Sequence, residues 1–414
     1  MNDIRVGIVG LGPRGLNWID SFRRVKGCRI VALCEKYEPL LAQAVQFARD
    51  PAIVPYADFG RMLKEAPLDA VGVCTAPDDH PDLICRALAA GKHVASEVPL
   101  CYSMEGCWKV IQAVEKSGSL KFMMAEQHQY TGWAQAWKKM VADGALGKVV
   151  YGEGQYLHGI GRDRFYVDSE TGRRLTIEEA RDNPRAARSR YWSNRHPLFY
   201  LPHELSALLG ILDDRVKNVV AMSTRRESYY YEGIPFPDIE VALMHTEKDT
   251  LLKLAVGFHI PTLKVEITAY HWYHLMGTKG RVETARSNMD TMKVWLPEQH
   301  MTDMASVTWD HLPHRVPPEA IGASHHNADY FPMAEFVRCI REDAPSPMDV
   351  YRAAEITVPA LLAGLSIERD SACLEVPAFR PAAFRKAVSP SGPSDPSGPS
   401  SPYPPRTPCP TEND

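Results

Sequence analysis

The feature that most constrains this chain stands almost at residue one. An apolar run, Ile4-Arg5-Val6-Gly7-Ile8-Val9, turns at once into Gly10-Leu11-Gly12-Pro13-Arg14-Gly15 and then into a helical stretch from Leu16 to Val25. Strand, G-x-G-x-x-G and helix in that order are the fingerprint of a dinucleotide site. Gly10 permits the tight turn, Gly12 lets the backbone approach a pyrophosphate, and Gly15 lets helix pack on strand, with Pro13 and Arg14 in the loop between. The free N–H groups of the helix start are there for the anion. A second apolar run, Arg29 to Cys34, ends in Glu35, where an acid accepts hydrogen bonds from both ribose hydroxyls. That position favours NAD and makes NADP the less favoured cofactor, although Lys36 beside it is a cation that can meet a 2′-phosphate.

Strand and helix patterns alternate from there to about residue 125. Helices are predicted over Pro39–Arg49, Phe59–Glu65, His80–Ala90 and Met104–Ser117, and strands over Ala70–Cys74, His93–Ser96 and Lys121–Ala125. This describes a doubly wound parallel sheet, whose ligand crevice lies beyond the carboxyl ends of its strands. Thr75-Ala76-Pro77, Glu97-Val98 and Glu126 follow those ends.

After residue 147 the pattern changes to long alternating runs at 149–157, 216–224, 239–245, 250–259, 265–276 and 281–284. They predict one large, open, mostly antiparallel sheet with one covered face, and apolar helical stretches at 205–212, 328–341 and 350–368 are available to cover it. The expected fold class is therefore α/β: an N-terminal Rossmann sheet followed by a C-terminal α/β domain. The expected divisions are 1–125 for the dinucleotide, 126–380 for substrate and oligomerisation, and 381–414 as a Pro/Ser-rich tail. The 26 residues from Ser389 hold nine prolines and little apolar content, too little to offset the entropy of ordering.

Composition excludes some partners. A net charge of −4 and pI near 6.4 offer no surface that seeks nucleic acid. Nine cysteines without a C-x-x-C pair read as reduced thiols, and with no leader pattern or 18-residue apolar stretch read from the sequence, the expectation is a cytoplasmic protein without a membrane partner. No metal-ligand spacing appears; His271 and His274, three apart on a strand, point to opposite faces. Residues 161–196 carry nine arginines against six acids, and read as a solvated segment with local ion pairs.

Several of these segments together resemble the Gfo/Idh/MocA oxidoreductases: the glycine fingerprint, Thr75-Ala76-Pro77-Asp78-Asp79-His80, Gly91-Lys92-His93-Val94 leading into Glu97-Val98-Pro99, and Gly144 to Val149. The likeness spans roughly residues 4–375. It implies a Rossmann domain joined to an open-faced α/β domain, a sugar or cyclitol held against the cofactor, and a homodimer or homotetramer formed through the second sheet. It also adds His80 to the cofactor-binding set. Most redox members of the family carry Glu-Lys-Pro, whose lysine assists proton transfer. Here valine stands in its place, and valine moves no proton.

A narrower likeness is to family 109 of the glycoside hydrolases, NAD-dependent α-N-acetylgalactosaminidases. It rests on Glu97-Val98-Pro99, Gly106-Cys107-Trp108, Met123 to Glu126, Gly152 to His158, Tyr191 to Arg195, Tyr200 to His203, His325 to Tyr330 and Met348 to Ala354. Those enzymes oxidise C3 of the sugar, eliminate the C1 substituent as C2 loses its proton, add water and return the hydride. By position the resemblance implies His203, Tyr156 and Glu126 as catalytic residues: His203 takes the hydroxyl proton, Tyr156 handles the C2 proton, for which it would need a substantially lowered pKa, and Glu126 orients cofactor and substrate. His158, Trp192, Arg195, Tyr200 and His325 would touch substrate. Pro202-His203-Glu204 replaces the family's Thr-His-Gly, and His326-Asn327 replaces a glycine pair. A sugar or cyclitol dehydrogenase with a substitute base, and a non-catalytic sensor of NAD or sugar, are the other two readings.

Overall fold

Six short parallel strands carry the first third of the protein, in the spatial order β3-β2-β1-β4-β5-β6. The structure is a computed structural model and describes residues 3–190, 195–261, 270–309 and 316–381. Along the chain, β1 (Ile4–Val9) leads to α1 (Pro13–Arg24), β2 (Cys28–Cys34) to α2 (Glu38–Ala48), and β3 (Val54–Tyr56) to α3 (Phe59–Glu65). β4 (Ala70–Val73), α4 (His80–Ala89), β5 (His93–Ser96), α5 (Met104–Lys116) and β6 (Phe122–Met124) complete the doubly wound sheet. β4 is buried at every position, as a central strand covered on both faces must be. Asp58 and Ser103 cap α3 and α5 by accepting from the backbone N–H of Arg61 and Gly106.

α6 (Gly132–Ala142) then leads to β7 (Val149–Leu157). A small sheet of β8 (Tyr166–Asp168), β9 (Arg174–Leu175) and β10 (Ala186–Arg188) lies in the arginine-rich segment, with α7 (Ile177–Arg181) between its last two strands. α8 (Pro202–Leu212) is followed by β11 (Val216–Ser223), β12 (Ile239–Thr246), β13 (Leu251–Gly257), β14 (His271–Gly277), β15 (Gly280–Glu283), β16 (Met292–Trp295) and β17 (Ala305–Val307). With β18 (Leu374–Glu375) and β7 these make a nine-stranded sheet, ordered β17-β16-β15-β14-β7-β13-β12-β11-β18. All its pairings are antiparallel except β7 with β13. The last helices are α9 (Tyr330–Arg341) and α10 (Val350–Glu368).

α10 ties the two sheets together. Thr357 accepts from the backbone N–H of Leu100, Ser366 accepts from that of Ala221 on β11, and the carbonyl of Met348, just before the helix, accepts from Met124 on β6. Its 19 residues are apolar enough to span a bilayer, contrary to the expectation that the chain has no such stretch, but most of the helix is buried inside the protein. The apolar run serves a core on all sides. Met1–Pro377 form one compact unit and Ala378–Asp414 a second, whose described residues 378–381 contain no helix or strand.

The expected helices and strands of the first sheet all form, with ends shifted by a few residues. The predicted strand 265–276 forms over 271–277; residues 262–269 lie outside the described residues.

Candidate active site

The glycine loop has the shape its residues imply. A Cβ on Gly10 (φ +88°) would sit 2.6 Å from the backbone of Cys74 and Thr75, and one on Gly15 would sit 2.1 Å from the Gly10 carbonyl oxygen. Nothing lies within 4 Å of such an atom on Gly12, which opens space at the start of α1. No side chain caps that helix, so its N-terminus is left for an anion. Glu35 is buried, and its carboxylate accepts from the backbone N–H of Leu11 (2.9 Å) and Tyr37 (3.2 Å). Those bonds fix it against the loop and leave lone pairs for a ribose. Lys36 Nζ stands 4.8 Å from the Tyr37 ring centroid. This cradle fits a dinucleotide.

Two turns flank it. His80 is wholly buried, with Nδ1 2.9 Å from the Pro99 carbonyl and Nε2 3.1 Å from that of Thr75. It therefore shapes the Thr75-Ala76-Pro77 turn from beneath. Arg14 leaves the loop to bond both Glu97 and Asp329, and His325 Nδ1 lies 3.0 Å from Asp329. Burial favours a neutral Asp329, but the Arg14 guanidinium outweighs it and holds the carboxyl well below its usual range. Val98 is buried and apolar.

The proton-carrying groups assemble between the sheets. Glu126 follows β6 and His203 opens α8, yet His203 Nδ1 lies 2.7 Å from Glu126 Oε2. The other carboxylate oxygen accepts from the backbone N–H of His128 at 2.8 Å. Burial pulls the His203 imidazole down, but the Glu126 charge and hydrogen bond outweigh it and raise the pKa above the ordinary value. Glu126 moves the opposite way: burial raises it, and His203 brings it below the ordinary carboxylate range. With Nδ1–H donated to Glu126, Nε2 is the acceptor nitrogen of neutral His203.

A second His–Glu pair stands beside the first. His271 Nδ1 is 2.6 Å from Glu204 Oε1, and the His271 ring stacks on Tyr156 with centroids 3.8 Å apart. Burial pushes Glu204 up to about 8 and His271 well below its usual value, so at neutral pH both are uncharged. His128, 4.3 Å from His271 and 5.0 Å from His203 by ring centroids, is pushed down to about 3 by burial. Tyr156 lies 6.3 Å from His203 by the same measure. Its phenol is raised, by burial first and then by the Glu204 carboxyl. The lowered pKa that a tyrosine base would need is therefore not met: at this depth the anion is disfavoured, and Tyr156 holds its proton.

Other expected contacts are partly gathered here. The Tyr200 ring lies 6.1 Å from both His203 and Tyr156, and His158 lies 4.7 Å from Tyr156. Arg195 instead bonds Asp78 beside the cofactor turn and stacks 4.8 Å from the Tyr102 ring. Trp192 lies outside the described residues. His271 and His274 do face opposite sides, His271 toward Glu204 and His274 toward Tyr151.

The absence of metal-ligand spacing in the sequence did not anticipate Glu126, His128 and His203, whose ligand-type atoms lie within 4.8 Å of one another. They come from two distant segments, which no spacing rule links. Glu204, His128, His271 and Asp329 went unassigned for the same reason, although Asp329 belongs to the His325–Tyr330 run and Glu204 marks a departure from the family pattern.

The fold and the cofactor cradle define a class: an NAD-dependent enzyme of the oxidoreductase type. Residues 4–125 match the oxidoreductase family with the NAD-binding Rossmann fold, Gfo/Idh/MocA, and residues 238–386 match the C-terminal domain of glycosyl hydrolase 109. The chain thus carries a Gfo/Idh/MocA Rossmann domain and a glycosyl hydrolase 109 C-terminal domain. It is 25% identical over 408 residues to glycosyl hydrolase family 109 protein 2 of Phocaeicola vulgatus, covering 91% of this chain and 94% of that one. Among solved structures, an oxidoreductase domain protein from Kribbella flavida superposes with TM-score 0.73 at 17% identity, over 91% of this chain and 100% of that one. Scyllo-inositol dehydrogenase from Lactobacillus casei, with bound NAD(H) and scyllo-inositol, gives 0.67 at 19%, over 91% and 99%.

Proposed function

We propose that this enzyme cleaves a glycoside through transient oxidation of its sugar, with NAD retained between turnovers. The observation that carries the reading is the His203–Glu126 pair, a base held in one tautomer, in a chain whose Val98 stands at the sequence position of the lysine carried by most redox members of the family it resembles. Bound in the cradle, NAD supplies a reversible hydride acceptor: C3 of the sugar is oxidised, the C2 proton and the C1 substituent are lost, water adds, and C3 is reduced again. His203 Nε2 receives the C3 hydroxyl proton, and Glu126 stabilises the imidazolium that results. Tyr156, which holds its proton, donates a hydrogen bond to the departing oxygen at C1; once the C3 hydroxyl proton has passed from His203 to solvent, neutral His203 takes the C2 proton and passes it to that oxygen. Tyr200, His158 and His325 border the site, and Trp192 and Arg195 complete the proposed substrate set.

Gly10, Gly12, Pro13, Arg14, Gly15, Glu35, the 75–77 turn, His80, Glu97 and Val98 form the proposed cofactor set. Glu35 favours NAD over NADP because a 2′-phosphate would meet its carboxylate, while Lys36 lies against Tyr37. Residues 1–125 would serve the cofactor and 126–380 the substrate, with 381–414 outside both. The eight cysteines among the described residues are all free, which supports a reducing cytoplasm. One face of the nine-stranded sheet exposes Met222, Leu243 and Leu251, which supports a homodimer or homotetramer built on that face.

Net dehydrogenation is the second reading, favoured by the same pair, since a base and NAD suffice for it. The discriminating experiment releases cofactor from the purified protein for mass spectrometry and assays an aryl glycoside without added cofactor. Retained NAD with aryl release and no accumulation of reduced cofactor is the expected result. An empty site that needs added NAD and accumulates NADH overturns it.

A further inference from the structure

Beside the catalytic cluster lies a cavity of about 230 Å³, bounded by His128 and His271 on the cluster side and by Trp133, Tyr273, Trp309 and Phe331. The rings are held in place by one another. Trp133 lies 4.5 Å from Tyr273 by centroids, Trp137 backs both Trp133 (5.0 Å) and Trp309 (5.8 Å), and Tyr130 stacks on Phe331 at 6.0 Å. No Asp, Glu, Lys or Arg is among the described residues that line it. The two histidines that face the cluster are kept neutral by burial. A charged group entering this space would lose its hydration and find no counter-charge among the described residues that line it.

Size and polarity narrow the occupant. A dry cavity of about 150 Å³ holds benzene, so this one takes a single substituted ring. A sugar in it would find aromatic faces, imidazoles and scattered hydroxyls, but no carboxylate, amide or guanidinium to read several hydroxyls at once. One buried polar atom on its lining residues lacks a partner, the Tyr130 hydroxyl, whereas His128 Nδ1 stands 3.6 Å from Glu126 Oε1 and the Tyr273 hydroxyl interacts with Glu204. It suits a ligand with one polar end. In the arginine-rich segment, Arg162, Arg173, Arg185, Arg190 and Arg195 are each paired with an acid.

We propose that this cavity receives the leaving group of the glycoside and selects an uncharged, flat, single-ring aglycone, a phenol, over a charged ring or a second sugar. The inference rests on the glycosidase reading. It places the phenolic oxygen, where the bond to C1 breaks, at the cluster end of the cavity, and the ring among the tryptophans.

Calorimetry on the enzyme with its cofactor as purified tests the site directly, using p-cresol and 4-hydroxybenzoate as probes. p-Cresol is expected to bind at least tenfold more tightly. Trp309→Ala, which removes a half-buried wall, weakens p-cresol binding severalfold, and Ala285→Phe, which fills the cavity from its rim, abolishes it; cofactor content and Tm show that both variants fold. Equal affinity for the two probes, or p-cresol binding untouched by both variants, overturns the site. Turnover of 4-methylphenyl and methyl glycosides of N-acetylgalactosamine tests its role. Trp309→Ala is expected to raise KM for the aryl substrate alone; an equal loss on both would place the sugar in the cavity and overturn the assignment. If p-cresol binds selectively but no glycoside is cleaved, the glycosidase reading and the leaving-group role fall, while the neutral-ring site stands.

Discussion

His203 and Glu126 act as one unit, and the consequences follow from their opposite pKa shifts. The raised imidazole adds stability that is fully present below its ordinary pKa and is lost as pH rises through the folded value; the lowered carboxylate adds stability above its ordinary pKa that is lost as pH falls through its folded value. His203→Asn is expected to reduce kcat by ~10² to 10⁴ without loss of NAD, as for removal of a positioned acid/base. In Glu126→Gln the pull on the imidazole disappears, so the acid limb of the pH profile of kcat/KM moves to lower pH; an unmoved limb would show that His203 does not titrate in the reaction. Glu204 gives a separate signature. Its pKa of about 8 means that the folded state binds the extra proton between the ordinary carboxylate range and pH 8, so stability falls as pH rises through that window. Glu204→Gln removes that slope. Its Tm relative to wild type should climb from pH 5 to 8 and level off above, as thermal melts would record.

Among the elements, the turn between β1 and α1 tolerates least. Gly15→Ala would drive a methyl into the Gly10 carbonyl, and the expected result is a protein purified without NAD, read by mass spectrometry of the released ligand. Gly364 on α10 is a test of packing alone: an added Cβ meets the rings of His196 and Phe199 at 2.7 and 2.8 Å. Gly364→Ala should lower stability by about 1 to 3 kcal/mol in a denaturant titration, leaving cofactor content intact. The elements that escaped the sequence reading were short or faintly patterned. β3 is Val-Pro-Tyr, three residues at a sheet edge, where proline is tolerated but advertises no strand. α6 did carry a signal, the buried Trp133, Ala134 and Trp137 at helical spacing, but it lay where the period was changing.

At the scale of the whole molecule, the two sheets meet along α10, and the larger one keeps a face uncovered. Met222 is 69% exposed, and Leu243 and Leu251 are each over 40% exposed, on strands otherwise patterned for burial. Light scattering after size exclusion should find a dimer or larger species, and the double change Met222→Lys with Leu243→Glu should shift it toward monomer without loss of NAD. A wild-type monomer would remove the proposal that this sheet face pairs. The site itself depends on this scale, since the end of β6 and the start of α8 meet only when both sheets are in place.

Sequence alone determined the local chemistry: a dinucleotide turn, because glycines at fixed offsets admit one close backbone path, and two sheets, because residue alternation and buried runs have different periods. It also singled out Glu126, Tyr156 and His203. Tertiary structure decided what those residues can do. Burial keeps Tyr156 protonated, so that it offers a hydrogen bond and not a base, the contact with Glu126 ties up Nδ1 of His203 and leaves Nε2 free of it, and the meeting of distant segments added His128, His271, Glu204 and Asp329. Ionisation depends on the dielectric and charges within a few ångströms, and those neighbours are set by the fold and not by position along the chain.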